Sequence, residues 1–242
     1  MHNKGYSQFL SVQRWRGESV PRIHFQQQLA ELKDKLLAMA ALAQQSLDCS
    51  LDAYLKRDPV MADHVHDHET AINAAERSVD EMAYDLLAME QPMAIDLRFL
   101  LAVIKINGDL ERIGDQAVNI AGRAQELLRP PAVDLPVDWR PMGARPGWMI
   151  RVAIQSLLDG DAGMARSVLT MDDNVDRLNR ETHQRLVEVM QVHPEWSEQA
   201  LNTIIISRNL ERIADHATNI AEDVIFWVHG ADVRHQFSSA GK

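Results

Sequence analysis

Apolar residues recur every three or four positions along most of the chain, the spacing of a single buried helical stripe. The clearest run is Ile106, Leu110, Ile113, Ala117 and Ile120, spaced 4-3-4-3. The same stripe returns in Ile206, Leu210, Ile213, Ala217 and Ile220. An earlier segment carries Val65, Ile72, Val79 and Leu86 at seven-residue intervals, again one helix face. With start and stop signals added, the pattern predicts helices over about 23–56, 59–89, 93–128, 148–158, 161–192 and 195–228. Asp58-Pro59 is an N-cap followed by proline at the first helical position. Gln91-Pro92 stops the second helix, and Gly160 and Gly230 stand where C-terminal stops are expected.

Between the third and fourth of these segments the pattern lapses. Pro130, Pro131, Pro136, Pro141 and Pro146 fall together with Gly143, so residues 130–146 read as a linker. A repeat lies on either side of it. KINGDLERIGDQAVNIA at 105–121 and IISRNLERIADHATNIA at 205–221 share ten of seventeen positions at an offset of 100. Upstream, Asp58, Met61, Ala62 and Val65 match Asp161, Met164, Ala165 and Val168 at an offset of 103. The three-residue difference falls near Pro92 and Pro194, where a turn can absorb it. The chain is therefore two copies of one unit, 1–130 and 131–242. The expected fold is all-α, with two tandem antiparallel three-helix bundles related by a pseudo-twofold repeat.

Composition agrees. Only 5 % of the 242 residues are aromatic, and 11 glycines with 9 prolines are too few for a turn-rich β fold. The net charge of -10 disfavours general nucleic-acid binding, because a negative surface repels phosphates. Cys49 stands alone and cannot form an internal disulfide, which suits a reducing compartment. Residues 1–12 lack an apolar signal run, and the apolar stretch at 99–106 is broken by Lys105. A soluble, cytoplasmic protein is expected. No Gly-rich phosphate loop, Ser-His-Asp grouping or cysteine zinc spacing occurs, so no enzymatic nucleophile is expected.

The polar positions of the repeat carry the candidate chemistry. On an ideal helix Glu111, Asp115 and Asn119 lie about 140°, 180° and 220° from the centre of the apolar stripe. Glu211, Asp215 and Asn219 repeat them. The preceding helix of each unit bears a flanking ridge: Glu69, Asn73, Glu76 and Asp80 in the first, Asp172, Asp176, Asn179 and His183 in the second. If ridge and face meet, acids from two helices gather at one surface. Acids four apart repel by about a few tenths of a kcal/mol, and a multivalent cation reverses the sign. Oxygen-rich sets suit magnesium or manganese, and paired carboxylates on neighbouring helices suit di-iron or di-manganese centres. The same acids also serve as an ordinary solvated face, with Arg112 and Arg212 as counter-charges. An iron-oxidising or iron-storing bundle is the alternative function, but it needs its acids pointing into a four-helix core. His68 projects onto the core stripe and His66 away from it, and both read as ordinary structural histidines. Trp139, Trp148, Trp196 and Trp227 read as anchors of turns and helix ends.

LERIGDQAVNIA and LERIADHATNIAEDVIF, each closing a three-helix unit, resemble the signature helices of the PhoU family of phosphate-transport accessory proteins. QPMA-x-DLR at 91–98, MDD-x-VD at 171–176 and G-x-DVRH at 230–235 support the resemblance. It implies two three-helix bundles and, in some members, multinuclear iron or zinc clusters bound by pairs of (Glu/Asp)-x-x-x-Asp motifs. Carried onto this chain, the metal ligands are Glu111, Asp115, Glu211 and Asp215, with Asp172 and Asp176 as partners in the second unit. Glu69 and Asn73 are the partners in the first, where Asn73 lacks the expected charge and implies a weaker site. The resemblance further implies an adaptor, often a homodimer, that meets the ATPase subunit of the phosphate-specific ABC transporter and the phosphate-sensing histidine kinase. Through them it represses the starvation response when phosphate is plentiful. It implies contact with the membrane only through those partners.

Overall fold

The computed structural model describes residues 20–90, 92–231 and 233; Gln91, Asp232, Arg234 and His235 of the motifs above lie outside them. The described helices are α1 (Val20–Lys56), α2 (Pro59–Met89), α3 (Ile95–Glu126), α4 (Trp139–Asp159), α5 (Ala162–Val192) and α6 (Ser197–His229). No strand occurs among the described residues, and no described helix is long and apolar enough to cross a membrane.

The repeat is visible in the caps. Asp58 Oδ1 accepts from the Val60 N–H at 2.9 Å, and Asp161 Oδ1 accepts from Gly163 and Met164 at 2.8 and 3.0 Å. Each satisfies orphan donors at the start of a 31-residue helix. Gly160 and Gly230 close α4 and α6 at φ of 63° and 70°, a conformation that a Cβ penalises. The offset difference is absorbed where expected. One residue of it lies in the longer α2–α3 turn, and the rest in the first turn of α3. On the α5–α6 side a single 3-10 turn, Pro194–Trp196, makes the connection.

One boundary differs from the sequence expectation. The proline-rich linker ends earlier, because α4 begins at Trp139 and takes in both Pro141 and Pro146. Asp138 caps it through the Arg140 N–H at 3.1 Å. Pro141 falls in the first turn, where no intrahelical N–H is required. Pro146 is interior and buried, and α4 there lies close against α1. A Cβ on Gly143 would stand 3.5 Å from the Leu51 methyls, and one on Gly147 only 2.9 Å from the Gln44 amide nitrogen. Close packing across two glycines offsets the lost hydrogen bond. Trp148 is thus mid-helix and half-exposed rather than at an end.

α1, α2 and α3 pack on one another, as do α4, α5 and α6. The two bundles join mainly through α3 against α6. Phe99 meets Trp227 with ring centroids 5.2 Å apart, and Lys105 meets Asp223, so the two helices run antiparallel. The principal core is continuous across this junction, from Phe25 and Leu36 through Leu110 and Ile113 to Ile213 and Ile225. Both repeated stripes are fully buried.

Candidate functional site

In the second bundle, α5 and α6 bring the four expected acids into one electrostatic cluster. Asp172 is pushed up to about 7, first by burial and then by Asp215, Asp176, Asp173 and Glu211. Asp215 is pushed up to about 6 by burial, Glu211 and Asp176, with His216 and Arg212 opposing. Glu211 is raised by burial and Asp176, against Arg208, Arg212 and Arg180. Asp172 Oδ1 is buried without a hydrogen-bond partner, and Asp176 is held by Arg180 at 3.5 Å. Asp172, Asp176 and Glu211 are half-buried, less outward than an isolated helix implies, while Asp215 stays exposed. They stand at the seam where α5 leans over α6, so neighbouring side chains strip away part of their water.

The first bundle is built differently. The Glu111 side chain is only 18 % exposed and meets Arg112 Nε at 3.3 Å. Arg112 also reaches Asp115 at 3.4 Å. Burial and Asp115 raise Glu111, Arg112 opposes, and the α2 acid that adds to its field is Glu76. Glu69 lies 3.6 Å from His66 on its own helix, and Asn73 is half-buried. Asp80 accepts from Asn107 at 2.9 Å and is committed to the α2–α3 seam. Arg112 therefore neutralises this site from within.

Among the described residues, no group of three or more His, Cys, Asp or Glu side chains is arranged to hold a metal ion. The donor chemistry of the second seam nevertheless fits a hard cation, with three partly desolvated carboxylates, Asp176 beside them and one unpartnered buried oxygen. Like charges splay apart when nothing positive lies between them, so binding there requires the side chains to turn inward. His66 is exposed as expected, whereas His68 is half-buried with its Nδ1 buried and without a partner, not the satisfied core histidine expected. A cleft of about 310 Å³, walled in part by Arg57, Trp139 and Gln199, includes none of the eight candidate residues.

The helical projection missed the polar seam between bundles. Asp109 Oδ1 lies 2.8 Å from His216 Nδ1 and accepts from Asn219 Nδ2 at 3.1 Å. Lys105 donates to Asp223 at 2.8 Å and covers the Phe226 ring. One signal was present in the sequence. Positions 105 and 205, 109 and 209, and 116 and 216 are places where the two copies differ. At these three places a difference within the repeat falls on the surface where the two copies meet.

The PhoU domain model matches this chain twice, at residues 36–124 and 141–224, once in each bundle. The chain belongs to the PhoU family. It is 37 % identical over 214 residues to the "Phosphate-specific transport system accessory protein PhoU homolog" of Pseudomonas aeruginosa, covering 87 % of this chain and 88 % of that one. It is 27 % identical over 219 residues to "PhoU homolog 1" of Thermotoga maritima, covering 89 % and 93 %. The crystal structure of PhoU from Pseudomonas aeruginosa superposes with a TM-score of 0.82 at 36 % identity, covering 86 % of this chain and all of that one. The phosphate transport system regulatory protein PhoU from Streptococcus pneumoniae gives 0.80 at 25 % identity, covering 86 % and 99 %.

Proposed function

We propose that this PhoU-family chain is a cytoplasmic adaptor of a phosphate-specific transport system. It links the transporter's ATPase subunit to the phosphate-sensing histidine kinase and keeps the starvation response off while phosphate is plentiful. The observation that supports this reading is the double family match, made with relatives whose names place them as accessory proteins of that system. A rigid scaffold of long helices with one shared core suits a role of protein contact rather than catalysis. The test is genetic. Deleting the gene should derepress an alkaline phosphatase reporter in phosphate-rich medium, with restoration by the cloned gene. Unchanged reporter output in the deletion strain would refute the adaptor. Affinity purification from phosphate-replete cells should bring down the ATPase subunit and the kinase together.

The same reading gives the second seam a cation, iron or zinc as in some family members, or magnesium or manganese. Asp172, Asp176, Glu211 and Asp215 hold it, and its charge relieves their mutual repulsion and ties α5 to α6. Glu69, Asn73, Glu111 and Asp115 form the weaker counterpart, since Asn73 brings no charge and Arg112 already serves both α3 acids. Elemental analysis of protein purified without chelator should find metal that is lost in the Asp172→Asn/Asp176→Asn variant. Metal-free protein would remove this clause and leave the adaptor standing.

A further inference from the structure

The turn between α2 and α3 puts a run of large apolar side chains into water. Met89 and Met93 are 75 % and 77 % exposed, and Tyr84 and Ile95 are each 53 % exposed. Leu97 and Leu101, four residues apart on α3, continue the run at 38 % and 39 %. Single exposed apolar residues are ordinary, but a concentration of them at one end of a bundle marks an interaction surface. The turn is also strained. Ala94, between Met93 and Ile95, has φ 44° and ψ -98°, a conformation that a Cβ disfavours.

Along the segment that carries this patch the charges have one sign: Glu81, Asp85, Glu90 and Asp96 lie within it, and no lysine or arginine occurs from 81 to 97. Lys35 of α1 comes near its start, where it donates to Ser78. The next base, Arg98, is turned inward, donating from Nε to the Trp227 carbonyl at 3.0 Å and lying against Gly230. We propose that this end of the first bundle docks a basic amphipathic helix of a partner protein. The helix lays its apolar stripe over Tyr84, Met89, Met93 and Ile95, and its lysines and arginines meet the acidic rim. Methionine suits such a surface because its unbranched, polarisable side chain adapts to the partner's shape. A second copy of this chain is a poorer occupant, since it would press two acidic rims together. An anionic lipid surface is repelled by the same charges. The proposal rests on the adaptor reading only for the source of the partner, and its chemistry is testable without it.

The probe is a fluorescent helical peptide of about 18 residues with leucine on one face and lysine elsewhere, read by anisotropy against the whole chain. The wild type should bind it, and Met89→Glu/Met93→Glu should weaken binding at least about tenfold. That variant adds two negative charges, so simple attraction of a cation would instead strengthen it. Both positions are exposed, and an unchanged thermal melt verifies the variant's fold. Glu81→Gln/Asp85→Asn should weaken binding and flatten its salt dependence. Three results overturn the proposal: equal binding by the methionine variant, equal binding of a scrambled peptide, or no binding by the wild type. So does a wild-type dimer in light scattering that Met89→Glu/Met93→Glu dissolves, which makes the occupant a second copy. Failure of the phosphatase reporter with the peptide still bound would sink the adaptor and spare this surface.

Discussion

Replacing Asp172 with asparagine should make the protein more stable at neutral and alkaline pH. The side chain is half-buried, one oxygen lacks a partner, and the carboxyl is pushed up to about 7 from an ordinary 3.8 by burial and neighbouring acids. An isolated shift of that size corresponds to about 4 kcal/mol. The acids titrate together and keep some water, so about 1–2 kcal/mol is the working figure. The sign follows from proton linkage. Between about pH 4 and 7 the folded state keeps a proton that the unfolded chain has lost, so wild-type stability falls as pH rises through that window. Asparagine never ionises and escapes this loss. For a chain of this length the gain at pH 8 is about 2–8 °C in Tm. Urea melts followed by circular dichroism at pH 5 and pH 8, with EDTA present, measure it. A variant no more stable than wild type at pH 8, or one whose gain is as large at pH 5, would refute the reasoning. Added manganese or zinc should then reverse the ranking by stabilising the wild type more.

Ile213 is fully buried, so Ile213→Ala should cost about 2–5 kcal/mol in urea unfolding. Asp109→Ala removes the acceptor that His216 and Asn219 share across the bundles. It should cost about 1–3 kcal/mol, with faster amide exchange in α3 and α6 as the accompanying sign. Asn73→Asp completes the acidic pattern of the first seam and should lower Tm in EDTA but raise the gain on adding a divalent cation, measured by thermal melts. Burial and the charges of Asp48 and Asp52 push the Cys49 thiol up. It should therefore react with an aromatic disulfide at pH 7 more slowly than free cysteine.

Helices and caps were legible because each has a local cause. Asp58, Asp161, Gly160 and Gly230 act within a few residues of their own positions, so the sequence contains the whole of each signal. The start of α4 is not legible locally, because whether a proline breaks a helix depends on its place. Pro141 needs only to be in the first turn, and Pro146 needs α1 beside it, and neither condition is written nearby. The acids were found, but their burial was not, since it depends on how far α2 leans over α3 and α5 over α6. Arg112 and Arg212 look equivalent in the repeat, yet Arg112 is the one bridging Glu111 and Asp115. Pairing across the bundles, as between Asp109 and His216, is a long-range fact that helical periodicity does not encode.

The core that runs unbroken through α3 and α6 bears on how such a chain could arise. A single three-helix unit would leave its third helix with a bare apolar face, and the simplest cover for it is another copy in the antiparallel manner seen here. Association of separate halves would then depend on concentration. Joining them through the short proline-containing segment before Trp139 replaces that dependence with a fixed, high effective concentration. Once the pairing is permanent, each copy is free to diverge on its own side of the contact. Lysine at 105 against isoleucine at 205, and glutamine at 116 against histidine at 216, have the form of such divergence.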